Sequence, residues 1–141
     1  AELLMPVEGV TVSQVGDTWG AARSEGRTHE GTDIFAPEGT PVYSATSGYV
    51  YRIGTNPYGG NVVTVVGGGG VRYYYAHLSG FAEDLREGQY VTPETVLGYV
   101  GNTGNAEGTP PHLHLGVYSG PIETCDWEAE NPYGLLVDRA W

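Results

Sequence analysis

Hydrophobic and polar positions alternate in short runs along this chain, and apolar residues nowhere recur at helical spacing for long. NVVTVV at 61–66, VRYYYAHL at 71–78, VLGYV at 96–100 and HLHLGVY at 112–118 each predict a strand, as does the longer PVYSATSGYVYRI at 41–53. SGFAEDLREG at 79–88 is the one modest helix candidate, short enough to be a loop with a single turn. GGGG at 67–70 predicts a hairpin turn, because glycine takes positive φ freely. NPYGG at 56–60 and NTGNAEGTPP at 102–111 predict longer loops. Many short strands separated by turn signals imply an all-β fold, an antiparallel sandwich or barrel. With no linker and no internal repeat in 141 residues, one domain over 1–141 is expected. A chain of this length buries roughly 68–70% of its unfolded surface, enough for a core without staples.

The same alternation places candidate chemistry. In HLHLGVY, His112, His114 and Gly116 fall on one face and Leu113, Leu115 and Val117 on the other. The apolar face is the natural core face, so two imidazoles project together to the opposite side. In VRYYYAHL, alternation puts Tyr73, Tyr75 and His77 on one face, with His77 ending the strand where loops begin. In RTHEGTDIFAPEGTPV at 27–42, His29 and Asp33 are four residues apart, but Gly31, the β-branched Thr32 and Ile34, and Pro37 argue against a helix. Extended, the two would sit about 13 Å apart at about 3.3 Å per residue. Joint binding of one metal would need a bend, and Gly31 is where a bend costs least.

Composition narrows the classes. The net charge is −11, with six arginines and no lysine, which is a poor basis for binding nucleic acid or anionic membranes. No apolar stretch approaches the roughly 20 residues that span a bilayer. The opening AELLMPVEGV lacks the basic n-region of a signal peptide. Cys125 is the only cysteine, which excludes an internal disulfide and any zinc site built on several thiolates; a small semi-buried side chain is the expectation for it. What remains is one carboxylate and four imidazoles. A catalytic zinc centre uses three N/O ligands and leaves one position for water, so two histidines would be left for proton transfer. Spacing alone does not say which histidine does which job.

HEGTDIFAPEGTPV, YAHLS, REGQYVTPETVLGYVGNTGNA and PHLHLGV together resemble the consecutive motifs of the M23 peptidases, the lysostaphin-like, LytM-domain zinc endopeptidases that cut bacterial peptidoglycan. The resemblance runs from about Trp19 to the end, where NPYGLL resembles the closing motif, with the motif-bearing part at about 19–135. It implies an antiparallel β-sandwich with an open groove bordered by the loops at 54–60, 79–88 and 102–111. It also implies hydrolysis of peptidoglycan peptide crosslinks by metal-activated water, with one zinc ion held by His29, Asp33 and His114 and with His77 and His112 as the catalytic pair. No motif position is substituted, which weighs against the alternative implied by the same resemblance, a catalytically silent or gated LytM-type scaffold or activator domain of the cell envelope. Six residues before the first ligand, where some glycine-bridge cutters carry a tyrosine, stands Arg23, a candidate substrate contact; Asn61 is another. The implied partners are peptidoglycan peptide stems, with a regulatory partner or pro-segment as a further expectation and a monomer as the working state. The implied location is the cell envelope, periplasmic or secreted, or a phage particle. A cupin is disfavoured because no histidine follows His114 and Tyr118 and Ser119 stand where its glutamate is expected. A lipoyl or biotinyl carrier is disfavoured because there is no lysine, and a sugar-phosphotransfer carrier leaves HLH with HEGTD unexplained.

Overall fold

In the computed structural model, which describes residues 2–16, 31–120 and 128–140, the apolar half of each alternating run turns inward. The strands among the described residues are Leu3–Leu4 (β1), Thr32–Phe35 (β2), Pro41–Tyr43 (β3), Gly48–Asn56 (β4), Gly60–Val66 (β5), Arg72–Phe81 (β6), Tyr90–Val91 (β7), Val96–Val100 (β8), His112–Ser119 (β9), Glu128–Glu130 (β10) and Leu136–Val137 (β11). The large sheet has the order β10-β9-β6-β5-β4-β7, with β2 also beside β9, and β8 pairing both β3 and β6. All of these pairs are antiparallel, whereas β1 and β11 form a small parallel pair. No helix of the described residues is long and apolar enough to cross a membrane.

The core gathers Val50, Val63, Val65, Tyr75, Leu113, Leu115 and Val117 from the inner face of the sheet, and packs them against Leu3, Met5, Val7 and Leu136. Each such leucine or valine contributes about 1.5–3 kcal/mol by leaving water. Two predicted elements change. The run at 41–53 is divided into β3 and β4, because the chain turns at 44–47. Residues 79–88 form no helix: β6 continues through Phe81 and turns follow.

Two bulges shape the sheet. On β4 the register shifts between Val50 and Arg52, so Val50 and Ile53 both join the core although they are three apart. On β6 the residues from Tyr75 to Leu78 lie opposite only Val63 to Asn61 of β5. The irregularity falls at His77, whose φ is +66°. Here β6 also changes neighbour, pairing β9 through Ala76 and β8 from Leu78 onward.

Candidate active site

The bulge overturns one expectation about faces. Tyr73 and Tyr75 enter the core, and the Tyr75 hydroxyl accepts a hydrogen bond from the Ala45 N–H at 2.9 Å. His77 does not follow them, nor does it end the strand. Its left-handed backbone breaks the alternation and turns the ring to the other face, where it meets His112 and His114 with ring centroids 5.0 and 6.0 Å away. A non-glycine residue at such a φ costs about 1–2 kcal/mol, so the surroundings must hold it. They do: the His77 N–H donates to the Gly59 carbonyl at 2.7 Å, and the ring Nδ1 lies 2.8 Å from the Thr103 carbonyl oxygen.

A carbonyl only accepts, so that contact puts the proton on Nδ1 and leaves the Nε2 lone pair for the site. His112 is fixed in the same way: its Nδ1 is 2.9 Å from the Pro110 carbonyl oxygen, and its Nε2 points at Asp33 Oδ1, 4.0 Å off. Burial, first of all, pushes the His77 ring down to about 4. The rings of His112 and His114 push the same way, and the Thr103 carbonyl and Asp33 pull back. His77 is therefore a neutral imidazole at pH 7.

Asp33 and His114 come together through sheet register. On β2 and β9, Asp33 is paired directly with His114, and Phe35 with His112. Ile34 turns to the core between them, so the alternation that buries the apolar residues also aims the polar ones outward. Asp33 Oδ1 lies 3.0 Å from His114 Nδ1, with both side chains 16% exposed. Two ligands at about 2.1 Å from a tetrahedral zinc would stand roughly 3.4 Å apart, so this pair fits a shared ion with little movement. Among the described residues no cluster of three such side chains forms a complete metal site. His29 and Arg23 lie outside the described residues, as does Cys125.

Thr103 is a residue that the sequence reading passed over. Its hydroxyl donates to the Leu78 carbonyl at 2.9 Å and accepts the Asn61 N–H at 3.0 Å, while its carbonyl orients His77. A backbone carbonyl has no signature in sequence. Asn61 itself donates through Nδ2 to the Leu78 carbonyl at 3.0 Å and so ties β5 to β6 beside the bulge. Phe35, largely exposed, tilts against His112 at 4.9 Å between centroids and forms a lip of the site.

The arrangement is a carboxylate–imidazole pair fit for a divalent ion, faced by two imidazoles with oriented Nε2 atoms. Residues 27–127 match peptidase family M23. The chain belongs to that family. A Bacillus subtilis relative, L-Ala–D-Glu endopeptidase, is 44% identical over 131 residues, which cover 88% of this chain and 39% of the relative. The chain thus spans about two fifths of that protein's length. Among solved structures, the catalytic domain of lysostaphin from Staphylococcus simulans superposes with a TM-score of 0.70 at 32% identity, covering 85% of this chain and 89% of that domain. A zinc-containing peptidase from Vibrio cholerae superposes with a TM-score of 0.65 at 29% identity, covering 83% and 36% of the two chains.

Within this M23 site, Gly31 has a steric role. A Cβ there would fall 2.7 Å from Nε2 and Cε1 of His114 and 2.6 Å from the Leu115 carbonyl oxygen. Gly31→Ala is therefore expected to displace the His114 ring and lower zinc affinity by about 10–100-fold, the range typical of lost ligand orientation. Competition against a fluorescent chelator measures this; an unchanged affinity would show that the His114 ring has room to spare.

Proposed function

We propose that this chain is a zinc-dependent endopeptidase that hydrolyses peptide bonds of bacterial peptidoglycan by metal-activated water, outside the cytoplasm in the cell envelope or secreted. The observation that carries this reading is the convergence of the Asp33–His114 pair with the rings of His77 and His112, each held through Nδ1 by a backbone carbonyl. We assign Asp33 and His114 as metal ligands, with His29 as the third. The resemblance of HEGTD to the family motif supports His29. When bound, zinc supplies Lewis acidity, which draws the pKa of a water toward about 7 and polarises the scissile carbonyl. The protein's own contribution is proton handling. The Nε2 of His77 or His112 takes a proton from the attacking water. The ring so charged then donates to the developing oxyanion and passes the proton to the leaving amine.

The similarity to an L-Ala–D-Glu endopeptidase supports that bond, which lies within the stem peptide, in place of the crosslink expected from the sequence. One peptidase domain over 1–141 is supported by a core in which Leu3, Met5 and Val7 pack with Leu136 and the sheet.

The test is the appearance of new free amines from purified peptidoglycan, with mass spectrometry naming the bond. Release abolished by a chelator and restored by zinc is expected, with new N-terminal D-glutamate. Metal binding without release would assign the chain to the scaffold class instead.

A further inference from the structure

Resting on the zinc-endopeptidase reading of this site, we infer that Asn56 is a positioning residue that steadies both halves of it, the acid–base ring of His77 and the ligand ring of His114. Asn56 ends β4 and opens the turn NPYGG at 56–60. Its Oδ1 accepts the Tyr58 N–H at 3.0 Å and the Gly59 N–H at 2.7 Å. Two donors on one atom fix that end of the amide as oxygen, so the other end is the NH2 group. That group donates through Nδ2 to the Tyr74 hydroxyl at 3.2 Å. One half-buried side chain thus ties a turn on one side to an aromatic ring on the other.

The turn leads to His77. With its N–H groups held by Asn56, it presents the Gly59 carbonyl to the His77 N–H at 2.7 Å. It also presents the Tyr58 carbonyl, which accepts the Asn105 N–H at 2.9 Å and so clasps the short turn Gly104–Ala106. That second turn follows Thr103, whose carbonyl holds the His77 ring through Nδ1. His77 is therefore gripped twice, at its backbone and at its ring, by groups that the NPYGG turn places. The two turns interlock without slack. A Cβ at Gly60 would run into the Thr103 hydroxyl, and one at Gly104 into the Gly60 backbone nitrogen. A histidine at a φ of +66° stays there only where its surroundings are rigid, so the turn that receives its N–H must not move.

The ring leads to His114. Across the β6–β9 pair, Ala76 is paired with His114 and Tyr74 with Gly116, so Tyr74 lies on the face that carries the ligand. Its ring is edge-on to the His114 ring, with centroids 6.4 Å apart, within the range of a favourable aromatic contact. The hydroxyl lies over Gly59, where a Cβ would collide with it. The bond from Asn56 pins that tip and so fixes the ring beside His114. An asparagine that merely caps a turn needs only its oxygen. Here the amide nitrogen is engaged too, on a ring that touches the ligand.

The test reads the two branches separately. At saturating zinc, Asn56→Ala is expected to lower kcat on a soluble stem peptide about tenfold or more with KM nearly unchanged, since a misplacement of about 1 Å can cost about 10²-fold. Asn56→Asp, whose carboxylate still accepts both turn N–H groups, is expected to restore most of that loss. Made in His77→Ala, the same Asn56→Ala change is expected to cost less than about twofold, because residues that act through one another are not additive. An equal loss in both backgrounds would make Asn56 a general structural residue and overturn the inference. Zinc affinity, measured by competition with a fluorescent chelator, reads the other branch. Asn56→Ala and Tyr74→Phe are each expected to weaken it about two- to tenfold, the scale of an oriented aromatic contact, and the double variant no further. Unchanged affinity in both single variants removes the reach to His114 and with it the inference. If Asn56→Ala does not fold, as judged by circular dichroism, Asn56→Asp and Tyr74→Phe still decide: the first must keep kcat and the second must weaken zinc binding. A parent that binds zinc but cuts no peptide fails the catalytic reading alone, and the affinity measurements then decide the inference.

Discussion

Asp33→Ala is expected to abolish both zinc retention and peptidoglycan cleavage while leaving the sheet folded. Asp33 is the carboxylate of the proposed ligand pair and lies 3.0 Å from His114 Nδ1. Without it, one imidazole on β9 remains of the pair, and its Nδ1 loses the acceptor that orients it. Loss of the ion would remove the Lewis acidity that lowers the pKa of a bound water toward about 7, so a fall in turnover beyond roughly 10³-fold is expected. The fold has little reason to follow. Asp33 projects from the outer face of β2, while Ile34 holds that strand in the core and the backbone pairing to β9 does not involve the carboxylate. Elemental analysis is expected to give zinc near one equivalent in the parent and near zero in the variant, with matching far-ultraviolet circular dichroism. A variant that keeps its zinc and its activity would remove Asp33 from the ligand set.

The sequence carried the strands of the site well and its curvature poorly. HLHLGVY is legible because a strand with one buried face leaves no choice about where His112 and His114 point. Asp33 was harder to place, since spacing four residues from His29 says nothing about β9; the pairing of Asp33 with His114 is a long-range register fact. His77 was misplaced for a definite reason. Strict alternation assumes a regular ladder, and the bulge at His77 is set by Gly59 and Thr103, which lie 18 and 26 residues away in the chain. The resemblance of YAHLS to a family motif indicated a role that the pattern of faces could not.

His77→Ala and His112→Ala are each expected to retain zinc at the parent level and to lose roughly 10²–10⁴ in turnover, the usual scale of a positioned acid–base group. His77 permits a sharper version. Its φ of +66° penalises any residue with a Cβ, so His77→Ala keeps the backbone strain and loses the bond to the Thr103 carbonyl. His77→Gly loses the same bond but relieves the strain. The glycine variant is therefore expected to unfold at higher temperature than the alanine variant, by about 1 kcal/mol of stability, while both are equally inactive. The comparison cancels the lost imidazole and isolates the backbone. Equal melting temperatures would mean that the left-handed conformation costs no more than the extra unfolded-state entropy of glycine. A more stable glycine variant without activity would show that the bulge holds a strained histidine whose ring is needed beside His112 and His114.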